Sequence, residues 1–166
     1  MCKRAFIAAL AATLILPAIA LPMGAKPDDS RTYYFDGSSF REGKPPGLPA
    51  IETRIGYYPR TLAGDGISPL RPLPAGTGAL AGICYLQQAG GKLGNAPQGH
   101  ALAGILVTVR GGDIEREISC DDRGFFSLAL PPGRYEVRSG ADSRAVTVEP
   151  EKTTLAPLRG GKRMVD

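Results

Sequence analysis

The chain has 166 residues and a formal charge of +4, with 22 glycines, 15 prolines, one histidine and no tryptophan. Its 43% of hydrophobic residues is enough for one core of about 100 residues and not for two. A Gly and Pro content just below the roughly 25–30% of low-complexity chain argues against packing over the whole length. One histidine rules out multi-His metal sites and makes a catalytic centre hard to assemble. The small positive charge does not nominate nucleic acid as a partner.

Residues 1–20 read as a secretory signal. Lys3 and Arg4 provide the positive start, residues 5–16 carry no charge, and Pro17 precedes the small-residue cleavage site Ala18-Ile19-Ala20. An uncleaved anchor is the alternative, but twelve helical residues reach only about 18 Å against a bilayer core near 30 Å. Cys2 lies ahead of the apolar run, where a lipoprotein cysteine would follow it, so no lipid anchor is indicated. The expectation is an exported chain, periplasmic or extracellular, with no membrane span after cleavage. Its charge is then +2, from 18 basic and 16 acidic residues.

Residues 21–78 are crowded with Pro and Gly, as in Gly43-Lys44-Pro45-Pro46-Gly47, and sustain no helical or strand period. They are expected to be an extended arm. Solvated linkers are poor in aromatics, yet Tyr33, Tyr34, Phe35, Phe40, Tyr57 and Tyr58 all fall here and need a surface to rest on. Residues 32–35, a turn at Asp36-Gly37 and residues 38–41 read as a short hairpin, which is marginal in water unless it packs on something.

Beyond position 79 the texture changes to short alternating runs. Residues 80–86 form the first expected strand. Ile105, Val107 and Val109 mark one face of a second, and Ile114, Ile118 and Cys120 a third. Phe126, Leu128 and Leu130 mark the fourth, Tyr135 and Val137 the fifth, Val146 and Val148 the sixth, and Leu155 and Leu158 close the series. Polar residues such as Arg134, Glu136 and Arg138 alternate with them, as on a sheet with one wet face. Gly111-Gly112-Asp113, Asp121-Asp122-Arg123-Gly124, Pro131-Pro132-Gly133 and Gly140-Ala141-Asp142 supply the turns. The pattern predicts an all-β, seven-stranded antiparallel sandwich over residues 79–158. Residues 87–101 are expected to be a long loop, and residues 159–166 a basic, frayed tail.

After export two cysteines remain, Cys84 and Cys120. An even pair in an oxidising compartment points to a disulfide, the alternative being two buried thiols that act as small apolar groups. Asp121 and Asp122 read as turn residues, because calcium loops need oxygen ligands at alternating positions.

Four segments carry a family resemblance. Gly82-Ile83-Cys84, then residues 102–109 with Ile105, Val107 and Val109, then Cys120-Asp121-Asp122-Arg123-Gly124-Phe125-Phe126, then Leu130-Pro131-Pro132-Gly133-Arg134-Tyr135-Glu136-Val137 are similar, in order and spacing, to the carboxypeptidase regulatory-like domain. The resemblance covers about half the chain and implies an Ig-like, transthyretin-like sandwich without catalysis. Cys84 stands where that family has an apolar β-branched residue and Cys120 where Thr is common. This implies a paired replacement and supports the bridge.

The expected function is a non-catalytic structural or interaction component of the envelope or exterior. Its partner would be another envelope or extracellular protein, or a second copy, docked through the arm aromatics Tyr33, Tyr34, Phe35, Phe40, Tyr57 and Tyr58. The alternative is a carbohydrate-binding module with a polysaccharide ligand. No cofactor or metal is expected.

Overall fold

A single twelve-residue strand, Gly78–Ala89, organises the molecule: it is hydrogen-bonded along both edges, and residues 79–84 are covered on both faces. The computed structural model describes residues 29–54, 57–62, 68–89, 98–140 and 142–164. The expected signal segment and the 90–97 stretch lie outside the described residues.

The described residues form strands and no helix. The first four strands, β1 (Arg31–Phe35), β2 (Phe40–Glu42), β3 (Ala50–Thr53) and β4 (Arg60–Thr61), make an antiparallel sheet in the order β2-β1-β3-β4. Then come β5 (Gly78–Ala89), β6 (Gln98–Ala101), β7 (Leu106–Gly111), β8 (Ile114–Ser119), β9 (Phe125–Leu130), β10 (Gly133–Ser139), β11 (Asp142–Val148), β12 (Thr153–Leu155) and β13 (Leu158–Met164). A second antiparallel sheet has the order β11-β10-β7-β8. The third is centred on β5, with β9 and β6 antiparallel along one edge and β12 and β13 parallel along the other.

That third sheet corrects the purely antiparallel expectation. Residues 149–157 carry the chain from β11 into β12 and β13 beside β5, so the last two strands run with β5 rather than against it. The parallel register cannot be seen in the alternation of single strands.

Successive side chains of a strand point to opposite faces, and β5 uses both. Leu80 and Cys84 enter a core with Val107, Val109, Phe126, Leu130, Tyr135, Val137, Val146 and Val148. Ala79, Ala81 and Ile83 enter a second core with Tyr33, Phe35, Phe40, Ile51, Phe125 and Leu155. The β5 sheet is thus the middle of three layers. The positions read from the sequence as the inner faces of the fourth, fifth and sixth strands lie in the first core or against it.

The arm accordingly differs from expectation, because its described residues between positions 31 and 61 form a four-stranded sheet rather than extended chain. Its Pro and Gly residues fall mainly between strands, and the apolar side chains at 33, 35, 40 and 51 share the face turned to the body. The hairpin turn is also longer than two residues: Phe35 pairs with Phe40, leaving residues 36–39 as the loop. Its cause is Asp36, whose Oδ1 accepts the N–H groups of Ser38 (2.9 Å) and Ser39 (3.0 Å) and draws both out of the ladder.

The body turns are built as the sequence indicates. Gly111 pairs with Ile114, so Gly112 and Asp113 form a two-residue turn, with Gly112 at φ 53°. Asp121 Oδ1 accepts the N–H groups of Arg123 (2.9 Å) and Phe125 (2.8 Å), a turn role. After the Pro131-Pro132-Gly133 bend the Tyr135 hydroxyl donates to the Pro131 carbonyl (2.8 Å), so the buried ring keeps a partner for its polar end.

Two further expectations change. Residues 87–101 are strand at both described ends, since β5 continues to Ala89 and pairs with β6. Most of the expected basic tail is β13: Arg159 N–H donates to Asp142 (2.8 Å), and its guanidinium donates to Gln87 (2.9 Å).

Close approach within the layers requires glycine on β5. A Cβ at Gly82 would lie 2.1 Å from the Ala156 carbonyl oxygen and 2.7 Å from the Phe126 ring. Gly82→Ala is therefore expected to lower stability by about 3 kcal/mol through overpacking, read as the shift of the urea midpoint. An unchanged midpoint would contradict this packing.

Candidate functional site

The inward face of the β1–β3 sheet divides into an apolar half and a polar half. By register, Arg31, Tyr33 and Phe35 of β1 share that face with Phe40 and Glu42 of β2 and with Ile51 and Thr53 of β3. The apolar half is seated on the β5 sheet. Phe40 stacks on Phe125 with centroids 4.3 Å apart, Tyr33 meets the same ring at 5.0 Å, and Phe35 tilts against Phe40 at 5.5 Å. Arg31, Glu42 and Thr53 overhang instead, roofing a cleft of about 720 Å³. Its floor is Ile83, Ala101 and Phe125, and its walls include Asp29, Arg54, Tyr57 and Arg123.

Two of the three arginines are held in place. Arg123 donates to the Phe40 carbonyl (2.9 Å) while its guanidinium carbon lies 5.4 Å from the Tyr33 centroid and 5.5 Å from that of Phe125. Arg54 lies 4.6 Å over the Tyr57 ring and donates to Asp29 (3.3 Å). Arg31 forms no ion pair among the described residues. The cleft thus offers fixed planar donors, an uncommitted cation, carboxylates and two ring faces.

The arm aromatics separate into two groups. Tyr33, Phe35 and Phe40 are buried in the molecule's own core, and Tyr34 points to the outer face of the sheet, over Gly43. Tyr57 is 53% exposed at the cleft, and Tyr58, 37% exposed, tilts against the half-buried Tyr85 with centroids 5.7 Å apart. Burial pushes the Tyr85 phenol above its ordinary value, helped by the nearby Asp142 carboxylate.

Cys84 and Cys120 come together in the first core as thiols. The hydrogen bond between them lowers the Cys84 thiol and raises that of Cys120, which burial raises further. Among the described residues no three His, Cys, Asp or Glu side chains gather as a metal cluster, and no helix is long and apolar enough to cross a membrane.

No protein-family model and no curated protein matches this chain.

The cleft residues Arg31, Glu42, Thr53, Arg54 and Arg123 escaped the sequence reading. Their signal is a change of polarity along one face of paired strands, which appears only once the register is known.

The hairpin that carries the roof depends on Asp36, which is almost fully buried. Burial alone would raise its carboxyl, but the bond from Arg41 outweighs it together with the N–H groups of Ser38 and Ser39 and the Ser38 hydroxyl, holding the group far below its ordinary 3.8. Arg71 adds a longer contact at 3.5 Å. A carboxyl lowered in the folded state stabilises above its unfolded pKa, and that stability fades as pH falls through the folded value. Asp36→Asn is thus expected to cost about 2 kcal/mol at pH 7. The gap to the wild type should narrow below about pH 4. Denaturant titrations at pH 7 and pH 3 that give the same gap would remove this assignment.

Proposed function

We propose that this protein is an exported, non-catalytic binding module, and that residues 79–158 form a seven-stranded sandwich of the carboxypeptidase regulatory-like, transthyretin-like kind. In this reading the module engages another envelope or extracellular protein, or a second copy, through the cleft and its tyrosine rim. The observation that carries it is the polar half of an otherwise core-facing sheet: Arg31, Glu42 and Thr53 stand over a cleft beside oriented Arg54 and Arg123. Side chains on the inward face of a docked sheet are apolar where they are only packing. Polar ones there suit a ligand that exchanges hydrogen bonds with them.

Fewer arm aromatics are free for contact than the six in the arm. Tyr33, Phe35 and Phe40 serve internal packing, and Tyr57 and Tyr58 remain as contact residues, since aromatic rings at a rim anchor protein interfaces. The single histidine of the chain supports the non-catalytic reading.

A polysaccharide ligand is the second reading. The exposed Tyr57 ring beside arginine, carboxylate and hydroxyl groups favours it, because sugars need a ring face and hydrogen-bond partners.

The test is the double variant Arg31→Ala/Tyr57→Ala, whose exposed side chains leave stability within about 0.5 kcal/mol. Wild type is expected to hold a defined envelope protein, or to self-associate in sizing chromatography with light scattering, and the variant to bind at least about tenfold more weakly. Retardation of wild type alone in polysaccharide-containing gels would favour the second reading. Equal behaviour of both proteins in all three assays would overturn the cleft as the binding site.

A further inference from the structure

Cys84 and Cys120 belong to different sheets. Cys84 lies on β5, whereas Cys120 directly follows β8 at the edge of the four-stranded β11-β10-β7-β8 sheet, and both are buried in the core between them. One short segment aligns them. Leu102 N–H donates to the Cys84 carbonyl (2.9 Å), Gly104 N–H donates to the Cys120 carbonyl (3.0 Å), and Cys120 N–H donates to the Ile105 carbonyl (2.9 Å). Both side chains lie in the same buried core cluster, close enough for each thiol to shift the other, and the Ser139 hydroxyl lies 3.7 Å from Cys84 Sγ. Neither sulfur is required by packing alone, since a free thiol in a core acts as a small apolar group. Two buried thiols of one core, on separate sheets tied by one backbone segment, are placed for a bond.

We propose that Cys84 and Cys120 are a covalent modification site, closed as an intramolecular disulfide that joins the β5 sheet to the edge of its neighbour. The thiolate of one cysteine attacks the disulfide of an exchange partner, either a disulfide-carrying oxidoreductase or oxidised glutathione, and displaces one thiol. The second cysteine then attacks the mixed disulfide and displaces the other thiol. The two cysteines lose two electrons and two protons in all, and the partner disulfide takes up both as two thiols. Because both sulfurs are buried, the exchange takes place while the chain folds, before residues 120–124 close over β5. The bond would restrict the unfolded chain between positions 84 and 120 and add a covalent tie to the packing and hydrogen bonds that already join the two sheets.

The full chain is reduced in denaturant, refolded in mixed reduced and oxidised glutathione, trapped with an alkylating agent and digested with trypsin without reduction. The expected product joins the peptide of residues 117–123 to the peptide ending at Lys92, two hydrogens lighter than the separate pair. Reduction of the refolded wild type is expected to lower its thermal midpoint by about 10 °C. The midpoint of Cys84→Ser/Cys120→Ser should not respond to reductant. Separately alkylated Cys84 and Cys120 peptides, linkage of either to Cys2 or to a second chain, or equal midpoints for oxidised and reduced wild type would each overturn the proposal.

Discussion

Everything in this molecule depends on covering one strand twice. β5 is paired along both edges, so its backbone groups are satisfied without water, and its side chains alternate into two separate cores. Its small residues follow from that position. Gly78 and Gly82 leave room for the Glu149 and Ala156 carbonyl oxygens, each about 2 Å from where a Cβ would stand, and Ala79 and Ala81 let the aromatic cluster of the first sheet settle closely. A strand so enclosed needs chain from before it and after it, which is why residues 31–61 and 153–164 are structural parts of the body.

The first sheet holds its place by interactions of two kinds. Stacking of Phe40 and Tyr33 on Phe125 supplies apolar contact, with each aromatic pair contributing about 1 kcal/mol beyond its buried area. Arg123 then ties the Phe40 carbonyl to the body, and the Arg71 N–H donates to the Asp36 carbonyl (2.7 Å). The Asp36 carboxylate gathers Ser38, Ser39, Arg41 and Arg71, so the loop has a defined shape despite its glycine and serines. Order in this Pro- and Gly-rich region thus comes from one buried charge and a few rings.

The cleft results from the same docking. The first sheet is wider than the apolar surface it rests on, and its inward face continues beyond Tyr33 into Arg31, Glu42 and Thr53. Where packing stops, polar groups begin, and arginines laid on rings form the walls. The candidate site and the second core are therefore two ends of one face, coupled through Phe125 and Arg123.

Alternation made the strands after position 79 legible, because each has one wet face and a turn residue at its end. Val107, Val109, Tyr135, Val137, Val146 and Val148 could be placed in a core from their spacing alone. The crowding of aromatics at 33–40 likewise required a surface for them to rest on. Which surface, and which rings stay outside, was settled only in three dimensions. Pairing partners for β12 and β13, the seating of the first sheet and the convergence of Arg31, Arg54 and Arg123 all join residues distant in sequence. Local periodicity carries burial, because burial repeats every second residue along a strand. It carries no register between strands, and the cleft is made of register.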